Sequence, residues 1–232
     1  MKSVFQYMLP LMIMAAAQSC KKDNFDAPDT MLKGRLVYNG EPIEVEYNQV
    51  PFELYQFGFG KVGPLGTTFA PDGTYSMVLF KGEYKLIIPN GQGPFKWKQT
   101  AGGAPDSLTI SLSGNQELNL EVIPYYMIRN PQFTASGGKV TAKFKIEKII
   151  TDASARNIEN VRLYINKTQI VATPDDIKGP VNVDGGAITD LNNVTLEQTV
   201  PTLSQTYIYA RIGLKIQGVE DRIFSPVQKI QL

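Results

Sequence analysis

Histidine is absent from the 232 residues, and cysteine occurs once, at Cys20. Without histidine there is no Ser-His-Asp or Cys-His catalysis and no His-ligated zinc. A single thiol leaves no internal disulfide. A charge excess is missing too: 23 Lys and Arg face 22 Asp and Glu, a net charge of +1. Nucleic-acid binders normally carry a clustered basic excess, so the balance argues against that partner. No stretch of eleven or more residues keeps a 3.6-residue apolar period, so helices are not expected. No nucleophile motif appears, and nothing marks the pair of carboxylates that a glycosidase needs. The expectation is a non-enzyme without a cofactor or a dedicated metal.

What is present begins with the leader. Lys2 supplies a positive charge, an apolar run extends from Val4 to Ala17, and small residues lead to Ser19. The run is about fourteen residues, short of the roughly twenty that span a bilayer, so 1–19 read as a secretory signal peptide. Cys20 directly after those small residues resembles a bacterial lipobox, which implies a lipidated thiol at the first mature residue. One acyl chain, at about 0.8 kcal/mol per buried CH₂, binds only marginally. The two or three chains of such lipoproteins imply permanent tethering to a membrane. The alternative is an ordinary signal peptide with a cysteine there by chance. Residues 20–30 are polar, aperiodic and contain Pro28, the composition of a tether. Cys20-Lys21-Lys22-Asp23-Asn24-Phe25-Asp26 resembles the mature start of Bacteroidetes surface lipoproteins of the starch-utilisation type. That implies the outer membrane and cell-surface exposure, although two lysines precede the first acid.

Residues 31–124 carry short alternating runs separated by turn residues. Asn39-Gly40 follows Leu32–Tyr38 as a two-residue hairpin signal. Asp72-Gly73 and Lys81-Gly82 supply positive-φ turns, and Tyr75 and Tyr84 each start an inward-facing row. Leu108, Ile110, Leu112 and then Leu118, Leu120, Val122 alternate cleanly. The pairing of Phe69–Tyr75 with Phe80–Leu86 resembles the transthyretin-like, carboxypeptidase-regulatory-like β-sandwich. Tyr125–Pro131 reads as a short, stiff junction, with Tyr125 and Tyr126 filling an interdomain contact. Residues 125–232 then offer strands at Val140–Glu147, Val161–Ile165 and Tyr207–Ile216, with a polar loop from Thr173 to Asn193. Tyr207 to Ile230 is similar to the last two strands of a fibronectin-type-III domain, so this unit reads as an immunoglobulin-like sandwich. The expected fold is therefore all-β, two consecutive β-sandwich domains after a lipoprotein signal peptide. Nearly the whole chain resembles a Bacteroidetes lipoprotein family of unknown function that pairs these two domain types beside starch-utilisation-type uptake systems.

Candidate binding residues concentrate in the Gly/Pro-rich stretch from Pro89 to Asp106. Phe95 and Trp97, the only tryptophan, offer flat aromatic faces for a sugar ring, and Lys96, Lys98 and Gln99 are at hand for its hydroxyls. The competing reading folds Trp97 back over the open end of the sandwich. Tyr55, Phe57 and Phe59 share one strand face, read first as core and second as an exposed aromatic row. Asp175, Asp176, Asp184 and Asp190, with Asn192 and Asn193, have calcium-type oxygens but not the spacing of a calcium loop. The resemblance implies glycan binding or support of an outer-membrane uptake complex. The alternative is a structural or adhesive protein that contacts other proteins.

Overall fold

The computed structural model describes residues 26–58, 62–172 and 179–232. The described residues form strands, short bridges and a single 3-10 turn, in two β-sandwich domains. The expected signal peptide and Cys20 lie outside them.

In the first domain, β1 (Thr30–Tyr38), β2 (Glu41–Pro42), β3 (Pro51–Gln56) and β4 (Pro64–Thr68) precede β5 (Thr74–Leu79) and β6 (Gly82–Ile87). Then come β7 (Phe95–Lys96), β8 (Leu108–Leu112), β9 (Gln116–Glu117), β10 (Leu120–Glu121) and β11 (Ile123–Pro124). One sheet is the antiparallel run β4-β3-β6-β8. The other is built on β1, which pairs antiparallel with β5 and β2 and parallel with β9 and β10. Alternation sends Leu32, Leu36, Phe52, Leu54, Tyr84, Leu86, Ile110 and Leu112 into the space between the sheets. Asn39 and Gly40 hold the positive φ values of the β1–β2 hairpin, 51° and 79°. The β9–β10 segment is two short pieces rather than one strand, because β1 accepts them along different parts of its length.

The second domain contains β12 (Tyr126–Ser136), β13 (Lys139–Lys148), β14 (Ile158–Asn166), β15 (Val181–Asp184), β16 (Val194–Thr199), β17 (Tyr207–Ile216), β18 (Arg222–Phe224) and β19 (Gln228–Gln231). Its sheets are β12-β13-β16 and β15-β14-β17-β18, with β19 also on β17. Two sequence expectations change here. Tyr125–Pro131 is not a separate junction: from Tyr126 on it is the first strand of this domain, bulged where the β12–β13 register shifts between Arg129 and Gln132. Asn130 takes a positive φ of 49° at that bulge, which is where a strand tolerates the proline that follows. The second of the two strands expected over Tyr207–Ile230 is split into β18 and β19, because Ser225 turns back to bond Ile212 through both its backbone N–H and its hydroxyl oxygen.

Strand β17 is buried on its inner face and, around Arg211 and Gly213, on its outer face as well. Its inner residues join the sandwich core, and on its outer face Arg211 reaches Val45 of the first domain while Gly213 sits against the Phe224 and Tyr164 rings. The Ile43 N–H donates to Leu36 O and the Val45 N–H to Pro71 O, both within the first domain. The Phe224 N–H donates across to Glu44 O, and the Arg211 guanidinium donates to Val45 O at 2.9 Å. The Ile43–Val45 strap stitches the domains into one apolar core. Gly73 serves it: a Cβ there would lie 2.1 Å from Ile43 O, and its φ of +75° suits glycine. Arg211 is 1% exposed, and its guanidinium carbon lies 3.5 Å from the Phe224 ring centre.

Burial pushes the Glu44 carboxyl up to about 7; the Arg211 charge opposes the shift, Asp72 adds to it and Arg35 opposes it. Burial also pulls Arg211 down, to about 10, against the attraction of Glu44 and Glu46, so it stays cationic at neutral pH. Because the folded-state value of Glu44 is raised, its contribution to stability is complete below about pH 4.5 and is lost as the pH rises through about 7, on the order of 3 kcal/mol. Urea unfolding of the wild type should therefore give a higher midpoint at pH 5.5 than at pH 8.5, and Glu44→Gln should flatten most of that difference. An unchanged slope in the variant would remove Glu44 as its source.

Candidate functional site

The Pro89–Asp106 segment is irregular but tightly folded. β7 pairs with β11, the Asp106 N–H donates to Lys98 O at 2.9 Å, and Thr100 and Ala104 close a turn. Gly93 takes a φ of +79°, and a Cβ on it would strike the Phe95 ring at 2.4 Å, so glycine lets that ring lie under the loop. Trp97 is 7% exposed, and its indole N–H donates to Asp106 O at 2.8 Å. Phe95 is buried as well. Neither ring presents an open face for a sugar to stack on. The reason is physical: the loop folds back over the open end of the sandwich, and burying indole area with its N–H satisfied outweighs leaving it in water. The Lys98 ammonium sits 5.4 Å from the centre of the Trp97 ring, and the Gln99 amide donates to Asn90 Oδ1 at 3.0 Å.

Phe95, Trp97 and Gln99 still line a cleft of about 330 Å³, together with Lys96, Tyr125 and Arg156. The cleft lies where the 89–99 segment meets the start of the second domain. Tyr125 holds the two together: its N–H donates to Pro94 O, and its carbonyl accepts from the N–H groups of Ile149 and Ile150. Tyr126 is buried, and its hydroxyl donates to Arg156 O at 2.7 Å. Lys98 is outside the lining.

A larger groove, about 810 Å³, runs over the outer face of the β1–β5 sheet. Cross-strand register builds it: Lys33 lies opposite Ser76 and Arg35 opposite Thr74, all projecting away from the core. Glu117 comes beside Lys33 and forms an ion pair at 3.4 Å. The floor is Gly34, where a Cβ would collide with Leu118 O at 1.8 Å; that carbonyl accepts the Tyr75 hydroxyl instead. Tyr47, 56% exposed, forms the rim beside Asn48. Asn48 accepts from the Thr68 hydroxyl at 3.1 Å, and Asn119 accepts from the Arg35 N–H at 3.2 Å, so the oxygen of each amide is held by the protein. Asp72 is held below the usual carboxylate value: burial works against ionisation, but the Thr74 hydroxyl and N–H donate to it and Arg35 adds its charge. Tyr47 and Asn48 escaped the sequence reading because they sit in a segment without alternation. Lys33 and Arg35 looked like ordinary outward positions of a strand.

The remaining candidates fall elsewhere. Tyr55 is on the outer face of β3, since Phe52 and Leu54 take the inner positions, and Phe57 is exposed just past its end; the Tyr55 hydroxyl bonds Glu53, and the Lys85 ammonium lies over the Phe57 ring. That corrects the core expectation for both residues; Phe59 lies outside the described residues. Asp175 and Asp176 do as well. Asp184 accepts from Asn182 and Asp190 from the Asn192 N–H, and no cluster of three metal-ligating side chains occurs among the described residues.

The single tryptophan gives a direct test of this packing. Its emission should be that of a shielded indole, poorly quenched by acrylamide. Trp97→Phe should cost about 1 kcal/mol in a urea melt by leaving Asp106 O without its donor. Strong quenching in the native protein would contradict the burial.

The chain was compared with known proteins. Residues 30–123 match the protein of unknown function (DUF3823) N-terminal domain, and residues 126–229 match the domain of unknown function DUF3823_C. A DUF3823 family protein from Parabacteroides merdae is 31% identical with a TM-score of 0.76, over 89% of this chain and 100% of that one. One from Bacteroides ovatus is 28% identical with the same TM-score, over 88% and 100%. A protein from Bacteroides uniformis described as a "putative carbohydrate binding protein" shares the fold at 19% identity and a TM-score of 0.66, over 89% and 100%. No curated protein matches the chain. No catalytic family is indicated. With both halves matched in order and a relative above 30% identity along most of its length, this chain belongs to the DUF3823 family.

Proposed function

We propose that this protein is a lipid-anchored, non-catalytic glycan-binding protein of the outer membrane, and that the groove over the β1–β5 sheet takes the sugar. One observation carries the reading: a Tyr47 ring more than half open to solvent stands at the rim of a groove whose wall supplies amide, hydroxyl and guanidinium donors. An apolar ring face stacks on such an aromatic, and planar polar side chains read the hydroxyls around it. The groove is also fixed in advance. The register of β1 and β5 sets its wall, and the Asn48–Thr68 and Asn119–Arg35 bonds orient its amides, so little side-chain freedom is lost on binding. Lys33 against Glu117 and Arg35 near Asp72 leave the groove close to neutral, which suits an uncharged glycan.

The Bacteroides uniformis relative with a carbohydrate-binding description makes sugars the first ligand class to test. Anchoring at Cys20 would place such a groove at the membrane, where it could hand glycan to an uptake complex. Two experiments test the reading. Affinity electrophoresis against a panel of neutral polysaccharides should retard the wild type, and Tyr47→Ala should abolish the retardation while its melting temperature stays within about 2 °C. Retardation by none of the panel would overturn the groove assignment and favour protein–protein contact. In cells, wild-type protein should partition into detergent and Cys20→Ser should not; identical partitioning would remove the anchor.

A further inference from the structure

Ion pairs among the described residues engage three basic side chains. Lys33 pairs with Glu117, Arg129 with Glu147 and Glu41, and Lys139 with Glu197. Arg211 is attracted by Glu44, and Arg222 donates to Asn160. Arg156 makes no ion pair among the described residues, and its backbone is anchored. Its carbonyl accepts the buried Tyr126 hydroxyl at 2.7 Å, and its guanidinium lies over Gly218, where a Cβ would stand 3.3 Å from a guanidinium nitrogen. That guanidinium forms part of the wall of the interdomain cleft. Lys96 lines the same cleft, its ammonium donating to the Ser154 hydroxyl at 3.0 Å. No aspartate or glutamate lines it.

The acids nearby are already occupied by protein donors. Asp221 accepts the Gly93 N–H at 2.7 Å, Asp152 accepts the Ser154 N–H and hydroxyl, and Glu220 faces the Gln92 amide. The lining of the cleft thus holds two cations and no carboxylate, with Asp152 behind Lys96 across the shared Ser154 hydroxyl. Around them stand groups that read hydroxyls. The Gln99 amide nitrogen is committed to Asn90, whose own nitrogen is committed to Gly103 O, so Gln99 Oε1 is left as an acceptor in the cleft. Tyr125 and the edge of Trp97 supply the apolar side. At about 330 Å³ the cleft is at the small end of ligand pockets, room for one or two sugar rings.

We propose that this cleft is a second, separate binding site, specific for a carboxylate-bearing sugar of the uronic-acid type. Arg156 takes the carboxylate in its planar fork, Lys96 adds a second positive charge, and Gln99 accepts from a ring hydroxyl. The assignment uses residues of the domain junction and none from the Tyr47 groove, so the two sites succeed or fail independently.

Isothermal titration with di- and tetrasaccharides of galacturonate and glucuronate tests it, with their carboxyl-reduced forms and sulfated oligosaccharides as comparison probes. The wild type should bind at least one uronate probe and bind its carboxyl-reduced form at least tenfold more weakly. Affinity should fall as NaCl rises from 50 to 500 mM. Arg156→Gln with Lys96→Gln should lose at least tenfold affinity for that probe with an unchanged melting temperature, since Arg156 is exposed and Lys96 only half-buried. Tyr47→Ala should bind it as the wild type does. No heat with any uronate probe, equal affinity for the reduced form, or unchanged affinity in the double variant would each overturn the site. Preference for sulfated over carboxylated probes would overturn the carboxylate assignment.

Discussion

A guanidinium almost sealed from water sits where the two sandwiches meet, and the arrangement of the chain depends on how it is satisfied. Arg211 projects from the outer face of β17, a position that in an isolated sandwich would face solvent. Here it meets Val45 O, the face of Phe224 and the charge of Glu44, while its Nε finds no hydrogen-bond partner among the described residues. Burying a charge is expensive unless the partners are close and the geometry is fixed. The fixing comes from Ile43–Val45, which is hydrogen-bonded to the first domain along one side and to β18 and Arg211 along the other. A segment bonded on both sides cannot shift without breaking both sets, so the domains behave as one packed body rather than as beads on a linker.

Much of the fold was legible because it is written in local rules. Asn39-Gly40 and Asp72-Gly73 are turn chemistry that needs no tertiary context, and alternation located β1, β5, β6, β8, β13, β14 and β17. Tyr75 and Tyr84 point inward as the period required. The errors fall where tertiary demands override local pattern. Tyr125–Pro131 read as a short, stiff junction between packed domains, and only a β13 partner with room for a bulge makes it a strand. Phe224–Ile230 looked continuous because the hydrogen-bonding of Ser225 to Ile212 cannot be inferred from spacing. Arg211 lies in a run of apolar residues and gave no sign that it would be buried.

The binding surfaces were less legible, for a different reason. Aromatic content drew attention to Phe95 and Trp97, but a large ring in a rigid loop is also what closes the end of a sandwich. The indole N–H bond to Asp106 O decides between those uses, and it depends on how the loop folds. Tyr47 carries no such signal, since one tyrosine among eleven is marked only by its exposure. Arg156 became distinctive only once its place beside Lys96 in the cleft was known. A site assembled from two distant stretches of the chain is visible only once the fold brings them together.

The strap also bears on how the groove is held. Tyr47 and Asn48 follow Val45 with one residue between, so the rim begins where the interdomain seam ends. On its far side the rim is tied by the Phe69 N–H to Val50 O and by the Thr68 hydroxyl to Asn48. An exposed aromatic ring on a free loop would lose conformational freedom on meeting a ligand, and that loss would weaken binding. Here the backbone on both sides is already committed, upstream to the second domain and downstream to the first. The desolvation cost of burying Arg211 thus has a structural counterpart: it fixes the segment that presents Tyr47. Loosening the seam should therefore disturb the rim even though no residue of the second domain lines the groove.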